Sequence, residues 1–259
     1  MCSTCGCGTG DTGVRIIDLD DTPGHQHGHD HDDMHKHVGG LRIVDLEERV
    51  LARNDEVAAA NREWLAERGI VAVNLMSSPG SGKTTLLERT IRDLGATVAV
   101  VEGDQETVFD AARVRAAGCR VVQVNTGAGC HLDASMLAGA LPALDPPEGS
   151  VVFIENVGNL VCPALFDLGE SARVVIMSVT EGDDKPLKYP YMFRVADLVV
   201  INKTDLEPYV DFDRMACRMT ARSLNPSCQI IELSAMHGMG LDMWYSWLRH
   251  RIGETSTTC

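Results

Sequence analysis

One short loop constrains this chain more than any other feature: Ser77-Ser78-Pro79-Gly80-Ser81-Gly82-Lys83-Thr84. It follows the apolar run VAVNLM (71–76) directly and precedes a helical stretch, Thr85–Leu94. Small residues and glycines there let backbone N–H groups curl around phosphate oxygens at a helix N-terminus. The loop fits the phosphate-binding pattern G-x-x-x-x-G-K-[ST] at Gly82, Lys83 and Thr84, with Ser77 in place of the first glycine. Lys83 is placed to neutralise β- and γ-phosphates and the Thr84 hydroxyl to ligate Mg²⁺, while Gly80, Ser81, Gly82 and Thr85 complete the cradle. With strand before and helix after, an ordinary Gly-rich turn is the weaker reading.

Such a loop requires a parallel sheet, and the rest of the sequence supplies one. Six further apolar, β-branched runs follow: 97–102, 120–125, 151–156, 172–179, 198–203 and 229–233. Their near-continuous apolarity suits strands covered on both faces. The intervening stretches are long enough for crossover helices, and the last helix is expected over Leu241–Arg251. The predicted fold class is therefore α/β: a P-loop NTPase with an open, mostly parallel sheet and helices on both faces. At 259 residues, 44% hydrophobic and 23% charged, the chain can bury a sizeable core. Its net charge of −14 argues against nucleic acid or an anionic membrane as partner. It has neither an apolar run of spanning length nor a secretory signal pattern, so the expected location is cytoplasmic.

The expected organisation has four parts. Residues 1–40 form a Cys/His-rich, metal-binding tail, too poor in apolar residues to offset its ordering entropy and so read as disordered. A leading helix covers 41–69, with Ile43, Leu46, Val50, Val57 and Leu65 near helical spacing and Gly69 as its stop. The nucleotide domain spans 70–253 and a frayed end 254–259.

Two motifs narrow the nucleotide to GTP and GDP. Asn202-Lys203-Thr204-Asp205 ends a strand and fits N-K-x-D. The Asp205 carboxylate can accept from guanine N1–H and the 2-amino group together, a donor pair that adenine lacks. Ser234-Ala235 follows the next strand and resembles the S-A loop whose backbone N–H meets guanine O6. Glu155-Asn156-Val157-Gly158 reads as an E-x-x-G switch, Glu155 holding Mg²⁺ or its water and the Gly158 N–H sensing the γ-phosphate. Asp104, at the end of another strand, either orients the attacking water, binds Mg²⁺ through water, or caps a helix over Thr107–Ala117; the sequence leaves these open. Lys83, Asp104 and Glu155 are the catalytic candidates.

Three thiols, Cys2, Cys5 and Cys7, stand close enough to converge on one ion such as Zn²⁺, Ni²⁺ or Cu⁺. A redox C-x-x-C would call for a βαβ context, which this segment lacks. His25, His27, His29, His31, His35 and His37 form an irregular tract suited to several Ni²⁺ or Zn²⁺ ions. Cys130-His131 and Cys162 fall in two loops at the same carboxyl edge of the sheet, where Cys162 lies four residues beyond Gly158. Cys119, Cys217 and Cys228 fall in or beside core elements and read as structural, and Cys259 has no role.

Taken together, MCSTCGCG, the His tract, NLMSSPGSGKTTLLE, VEGDQET, NTGAGCHLDA, FIENVGNLVCP, SVTEGDDKPLKYP, INKTDL and LSAMHGMG resemble the HypB family of hydrogenase maturation GTPases over nearly the whole chain. The urease accessory GTPase UreG shares the domain class but has neither the N-terminal Cys motif nor this Cys-His pair. The resemblance implies a GTP-hydrolysing metallochaperone that supplies nickel to [NiFe]-hydrogenase. It assigns Lys83, Thr84, Asp104, Glu155 and Asp205 to nucleotide and Mg²⁺, and Cys2, Cys5 and Cys7 to a tight nickel site. Cys130, His131 and Cys162 become a second, nucleotide-responsive site for nickel or zinc near a dimer interface. The implied partners are a second copy, the nickel chaperone HypA and the hydrogenase large subunit. The residues themselves add one argument for a homodimer, the apolar-bearing stretch Leu206-Glu207-Pro208-Tyr209-Val210. A metal-storage protein with a vestigial nucleotide site is the competing reading, and intact Lys83, Thr84 and Asp205 weigh against it. A metabolic P-loop kinase would have no use for N-K-x-D.

Overall fold

A computed structural model describes residues 33–104, 109–127 and 129–256, and for 33–47, 104, 109–112 and 254–256 the backbone only. Seven strands form one sheet: β1 (Val71–Ser77), β2 (Val98–Asp104), β3 (Arg120–Asn125), β4 (Val151–Gly158), β5 (Ala172–Ser178), β6 (Leu198–Asn202) and β7 (Gln229–Glu232). Every pairing is parallel, in the order β3-β2-β4-β1-β5-β6-β7. The helices are α1 (Asp33–Glu67), α2 (Lys83–Asp93), α3 (Phe109–Ala116), α4 (Ala134–Leu144), α5 (Lys185–Lys188), α6 (Pro190–Arg194), α7 (Arg214–Leu224) and α8 (Leu241–Ser256).

Alternation along β1 shows how both faces are covered. Val71, Val73 and Leu75 join Leu86 and Leu87 of α2 and Trp244 and Leu248 of α8. Ala72 faces the other way, among Leu65, Leu137, Leu141 and Leu144 from α1 and α4. Met76 joins a third group with Phe193, Cys217 and Ala221 from α6 and α7. All seven residues of β1 are buried, which explains the unbroken apolar runs. With β1 central, the loop that follows it lies mid-edge, flanked by the ends of β4 and β5.

Several boundaries differ from the sequence reading, α8 among them, which runs on to Ser256 rather than ending at Arg251. β4 runs on to Gly158, because the switch segment continues pairing and Gly158 stands opposite Ser77. β2 ends at Asp104, which pairs with Asn125 and so closes a strand, and the described part of α3 begins at Phe109. The α1 backbone begins at Asp33, inside the stretch read as tail, and ends at Glu67, after which Gly69 turns at φ 59°. Finally, Val210 is half-buried against the α6–α7 core group, so the exposed apolar residues of its segment are Tyr209, 83% accessible, and Leu206, 36%. Cys2, Cys5, Cys7, His25, His27, His29, His31 and Cys259 lie outside the described residues, and the side chains of His35 and His37 do so too.

Candidate functional site

The loop after β1 is shaped by its glycines. Gly80 and Gly82 stand at φ 75° and 95°, where an L side chain is strained. A Cβ on Gly82 would also come within 2.4 Å of Asn202 Nδ2. Ser77, by contrast, is the last residue of β1, buried, with its Oγ bonded to Ser78 O at 2.9 Å. It needs no left-handed backbone, which is why this position works without glycine.

Lys83 and Thr84 open α2 and converge on Glu155 of β4. Lys83 Nζ lies 2.8 Å from Glu155 Oε1, and Thr84 Oγ1 donates to the same oxygen at 2.7 Å. Glu155 is 1% exposed and its Oε2 has no hydrogen-bond partner. Ser81 Oγ is likewise buried and unpartnered in the loop. These groups border a cleft of about 520 Å³ whose walls include Thr85, Glu102, Arg113, Gly158 and Lys203. A phosphate chain fits this cradle, and Thr84 with the spare Glu155 oxygen forms the hard oxygen pair that suits Mg²⁺. Asp104 ends β2 at the same sheet edge, its side chain outside the described residues.

The base-reading motifs gather at the ends of β6 and β7. Asn202 acts as a clamp: its Nδ2 donates to Ser81 O at 2.9 Å, and its Oδ1 accepts from Ala235 N at 3.0 Å and Lys203 N at 2.7 Å. One side chain thereby fixes the phosphate loop to the Ser234-Ala235 turn. Lys203, at φ 60°, sends its Nζ to Gly80 O at 2.6 Å. Asp205 keeps Oδ1 buried without a partner, while Oδ2 lies 3.5 Å from His237 Nε2.

A second set of side chains meets beyond β4. Donor atoms of Cys130, His131 and Cys162 all lie within 4.8 Å of one another. The two sulfurs are 2.9 Å apart, and Cys130 Sγ is 3.7 Å from His131 Nδ1. His131 stacks on Phe166 at 4.0 Å between centroids. Burial holds the imidazole pKa below its ordinary value, partly opposed by the Asp133 carboxylate. A neutral imidazole is what a metal needs. Bonds of roughly 2.3 Å from sulfur to a tetrahedral ion set two sulfurs about 3.7 Å apart, so binding would part them by less than about 1 Å. Burial raises the thiol pKa of Cys119 and Cys228 to about 11 and of Cys217 to about 12.

Sequence reading assigned no role to the residues that join these sites. Asn156 Oδ1 accepts from Leu132 N at 3.1 Å and from Val157 N at 3.0 Å. Asn159 Nδ2 donates to Cys130 O at 3.3 Å while its Oδ1 accepts from Val161 N at 2.8 Å. Two asparagines of the Glu155–Cys162 segment therefore hold the loop that carries Cys130 and His131. Ser78 of the phosphate loop also donates to Glu181, which pairs with Lys185 at 3.2 Å. Nothing in the one-letter pattern separates such asparagines from ordinary turn formers; only their pairing across 24 and 29 residues does.

The geometry has counterparts of known family. Residues 71–232 match the family described as CobW/HypB/UreG, nucleotide-binding domain. Hydrogenase maturation factor HypB of Azotobacter vinelandii is 54% identical over 222 residues, 84% of this chain and 73% of its own. The Escherichia coli K12 HypB is 46% identical over 286 aligned residues, covering 96% of this chain and 98% of its own. The chain belongs to the HypB family. Two HypB crystal structures are also similar: that from Archaeoglobus fulgidus has a TM-score of 0.73 at 45% identity, covering 78% of this chain and all of that one. HypB from Helicobacter pylori, solved in complex with nickel, gives 0.74 at 40% identity, over 78% of this chain and 96% of that one. HypB membership accounts for the P-loop and the parallel sheet, and it makes this chain a hydrogenase maturation factor by family. No described helix is long and apolar enough to cross a membrane.

Proposed function

We propose that this protein hydrolyses GTP and uses the nucleotide state to control a Cys/His site from which nickel passes to [NiFe]-hydrogenase. The observation that carries the reading is the Glu155–Cys162 segment: Glu155 grips Lys83 and Thr84 at one end, and Cys162 stands 2.9 Å from Cys130 at the other. The Asn156 and Asn159 bonds leave little slack between them.

Bound Mg²⁺ would neutralise charge on the β- and γ-phosphate oxygens. The remaining work falls to the chain. Lys83 exchanges its Glu155 partner for phosphate oxygens, which frees the Glu155 carboxylate to hold the ion with Thr84. Backbone N–H groups of Gly80–Thr85 receive the phosphates, and Asp104 orients the attacking water or an ion-bound water. The Gly158 N–H senses the γ-phosphate; a Cβ there would sit 3.1 Å from Pro79, so the strand end lies hard against the phosphate loop. A shift of Gly158 moves Cys162, and coordination tolerates only about 0.2 Å in bond length.

In this reading Cys2, Cys5 and Cys7 form a separate nickel site on a tail that ends near residue 40, and the His tract holds further Ni²⁺ or Zn²⁺. The tail is followed by the leading helix, which ends at Glu67, the GTPase domain, whose last helix runs to Ser256, and a short end. The working form is a cytoplasmic homodimer using the Leu206–Tyr209 face, with HypA and the hydrogenase large subunit as partners. The test is nickel and zinc titration of the full-length protein and a 1–40 deletion, each with GDP and a non-hydrolysable GTP analogue. Metal affinity at the Cys130 site should differ between nucleotides in both proteins. Equal affinities would overturn the coupling, and absence of Mg²⁺-dependent GTP turnover would favour storage.

A further inference from the structure

The turn after β7 places an imidazole against the carboxylate assigned to guanine, and its construction is specific. Ser234 N donates to Met239 O at 2.9 Å and Gly238 N to Ser234 O at 2.8 Å, closing the turn. Ser234 Oγ accepts from the His237 backbone N at 3.2 Å, and Asn202 holds Ala235 N at 3.0 Å. Gly240, at φ 71°, passes so close to β7 that a Cβ would fall 2.2 Å from Glu232 O. The backbone that carries His237 is thus pinned on both sides. Its side chain is 60% accessible, yet Nε2 stands 3.5 Å from Asp205 Oδ2, a contact slightly longer than an ordinary hydrogen bond. The opposite oxygen, Oδ1, is buried without a partner.

The geometry points to His237 as a positioning residue for guanine selectivity, one that fixes the plane of the Asp205 carboxylate. The inference rests on the reading of Asp205 as the guanine acceptor. Guanine offers two parallel donors, N1–H and the 2-amino group, and engages both only if the two carboxylate oxygens lie in the plane of the base. A carboxylate free to turn about its Cβ–Cγ bond spends part of its time out of that plane. A donor on Oδ2 from the side uses the lone pair that guanine leaves over and stops the rotation. Hypoxanthine has N1–H but no 2-amino group, so it needs one oxygen only and is indifferent to the plane. His237 should therefore matter for the 2-amino contact rather than for nucleotide binding in general.

The experiment compares GDP and IDP affinity by calorimetry for the full-length wild type, His237→Ala, His237→Gln and Asp205→Asn. In the wild type GDP should bind more tightly than IDP. His237→Ala should shrink the GDP:IDP ratio about three- to tenfold, the scale of one ordinary hydrogen bond, with IDP affinity little changed. His237→Gln, whose amide can donate to the same oxygen, should restore most of the ratio. In the double variant with Asp205→Asn, His237→Ala should have no further effect, as expected for residues acting through one contact. An unchanged or raised ratio in His237→Ala, or an equal loss of both nucleotides, overturns the role of His237. Unchanged GDP affinity in Asp205→Asn overturns the guanine assignment beneath it, which is a separate result.

Discussion

The nucleotide cleft and the Cys130–His131–Cys162 cluster share one edge of one sheet but are built in opposite ways. The cleft is made by a contiguous loop whose backbone does most of the binding, so Ser77 can stand where glycine is usual. The cluster is made by three side chains drawn from loops about 30 residues apart, each offering one ligand atom and placed by loops that asparagines hold. A backbone cradle tolerates side-chain change and takes whatever offers phosphate; a three-donor cluster tolerates little movement. One short segment, Glu155–Cys162, joins the two, and under the proposed function it lets a robust site control a sensitive one.

The largest expected effect strikes the cleft. Lys83→Ala removes the charge that now pairs with Glu155 at 2.8 Å, leaving that buried carboxylate with Thr84 alone. GTP turnover should fall by about 10²–10³-fold or more, on the scale of losing one preorganised transition-state contact. Metal affinity at the Cys130 site without nucleotide should stay within twofold of the wild type. A large loss of both would show that the two regions are less separable than their construction implies.

Asp205→Asn comes next. It replaces an acceptor-only carboxylate, Oδ1 buried and unpartnered, with an amide that can donate. GTP affinity should drop by about 10–100-fold, the scale of a lost charged hydrogen bond, and XTP affinity should rise because its 2-oxo group accepts. Competition of GTP and XTP for a fluorescent nucleotide reads both. The cluster should not respond.

Cys162→Ala turns the comparison around. It leaves the cleft intact and removes the ligand proposed to move with Gly158. Nucleotide affinity should become independent of nickel or zinc, where the wild type should show a coupling of about 5–150-fold in both directions. Deleting residues 1–40 should leave that coupling in place. If the coupling survives Cys162→Ala, it runs by a path other than the Glu155–Cys162 segment.

The two regions also differ in how far the sequence reveals them. Seven apolar runs mark seven strands: the five central ones are buried on both faces and need no polar alternation, the edge strands β3 and β7 are only partly covered, and the phosphate loop is contiguous. The strand order is not legible, since it depends on which crossover passes which. Nor is the clamp of Asn202 on Ser81, which spans 121 residues. Cys130, His131 and Cys162 can be placed at one edge from the strand ends, but whether loops meet depends on Asn156 and Asn159, whose residue type is ordinary for turns. The exposure of Leu206–Val210 was half legible: the 3₁₀ turn at Thr204–Tyr209 projects Tyr209 outward and returns Val210 to the core, a reversal that apolarity alone does not encode.

The smallest effect belongs to His131 and is a matter of sign. Burial depresses its folded pKa below the ordinary value of 6.5. Above pH 6.5 the imidazole is neutral in both folded and unfolded chains, and the native state has the full benefit. As pH falls below 6.5 the unfolded chain takes up the proton first, so stability drops until pH passes the folded pKa, where the loss levels off. The metal-free wild type should therefore lose more melting temperature between pH 7.5 and 5.5 than His131→Gln does, by about one to three degrees for a domain of this size. GDP should raise both melting temperatures and leave that pH difference unchanged, because the nucleotide contacts lie in the cleft and the proton acts in the cluster. A pH difference of opposite sign would mean that the Asp133 carboxylate, and not burial, governs this imidazole. The folded pKa would then lie above 6.5, and a proton would compete with a metal for this imidazole nearer neutral pH.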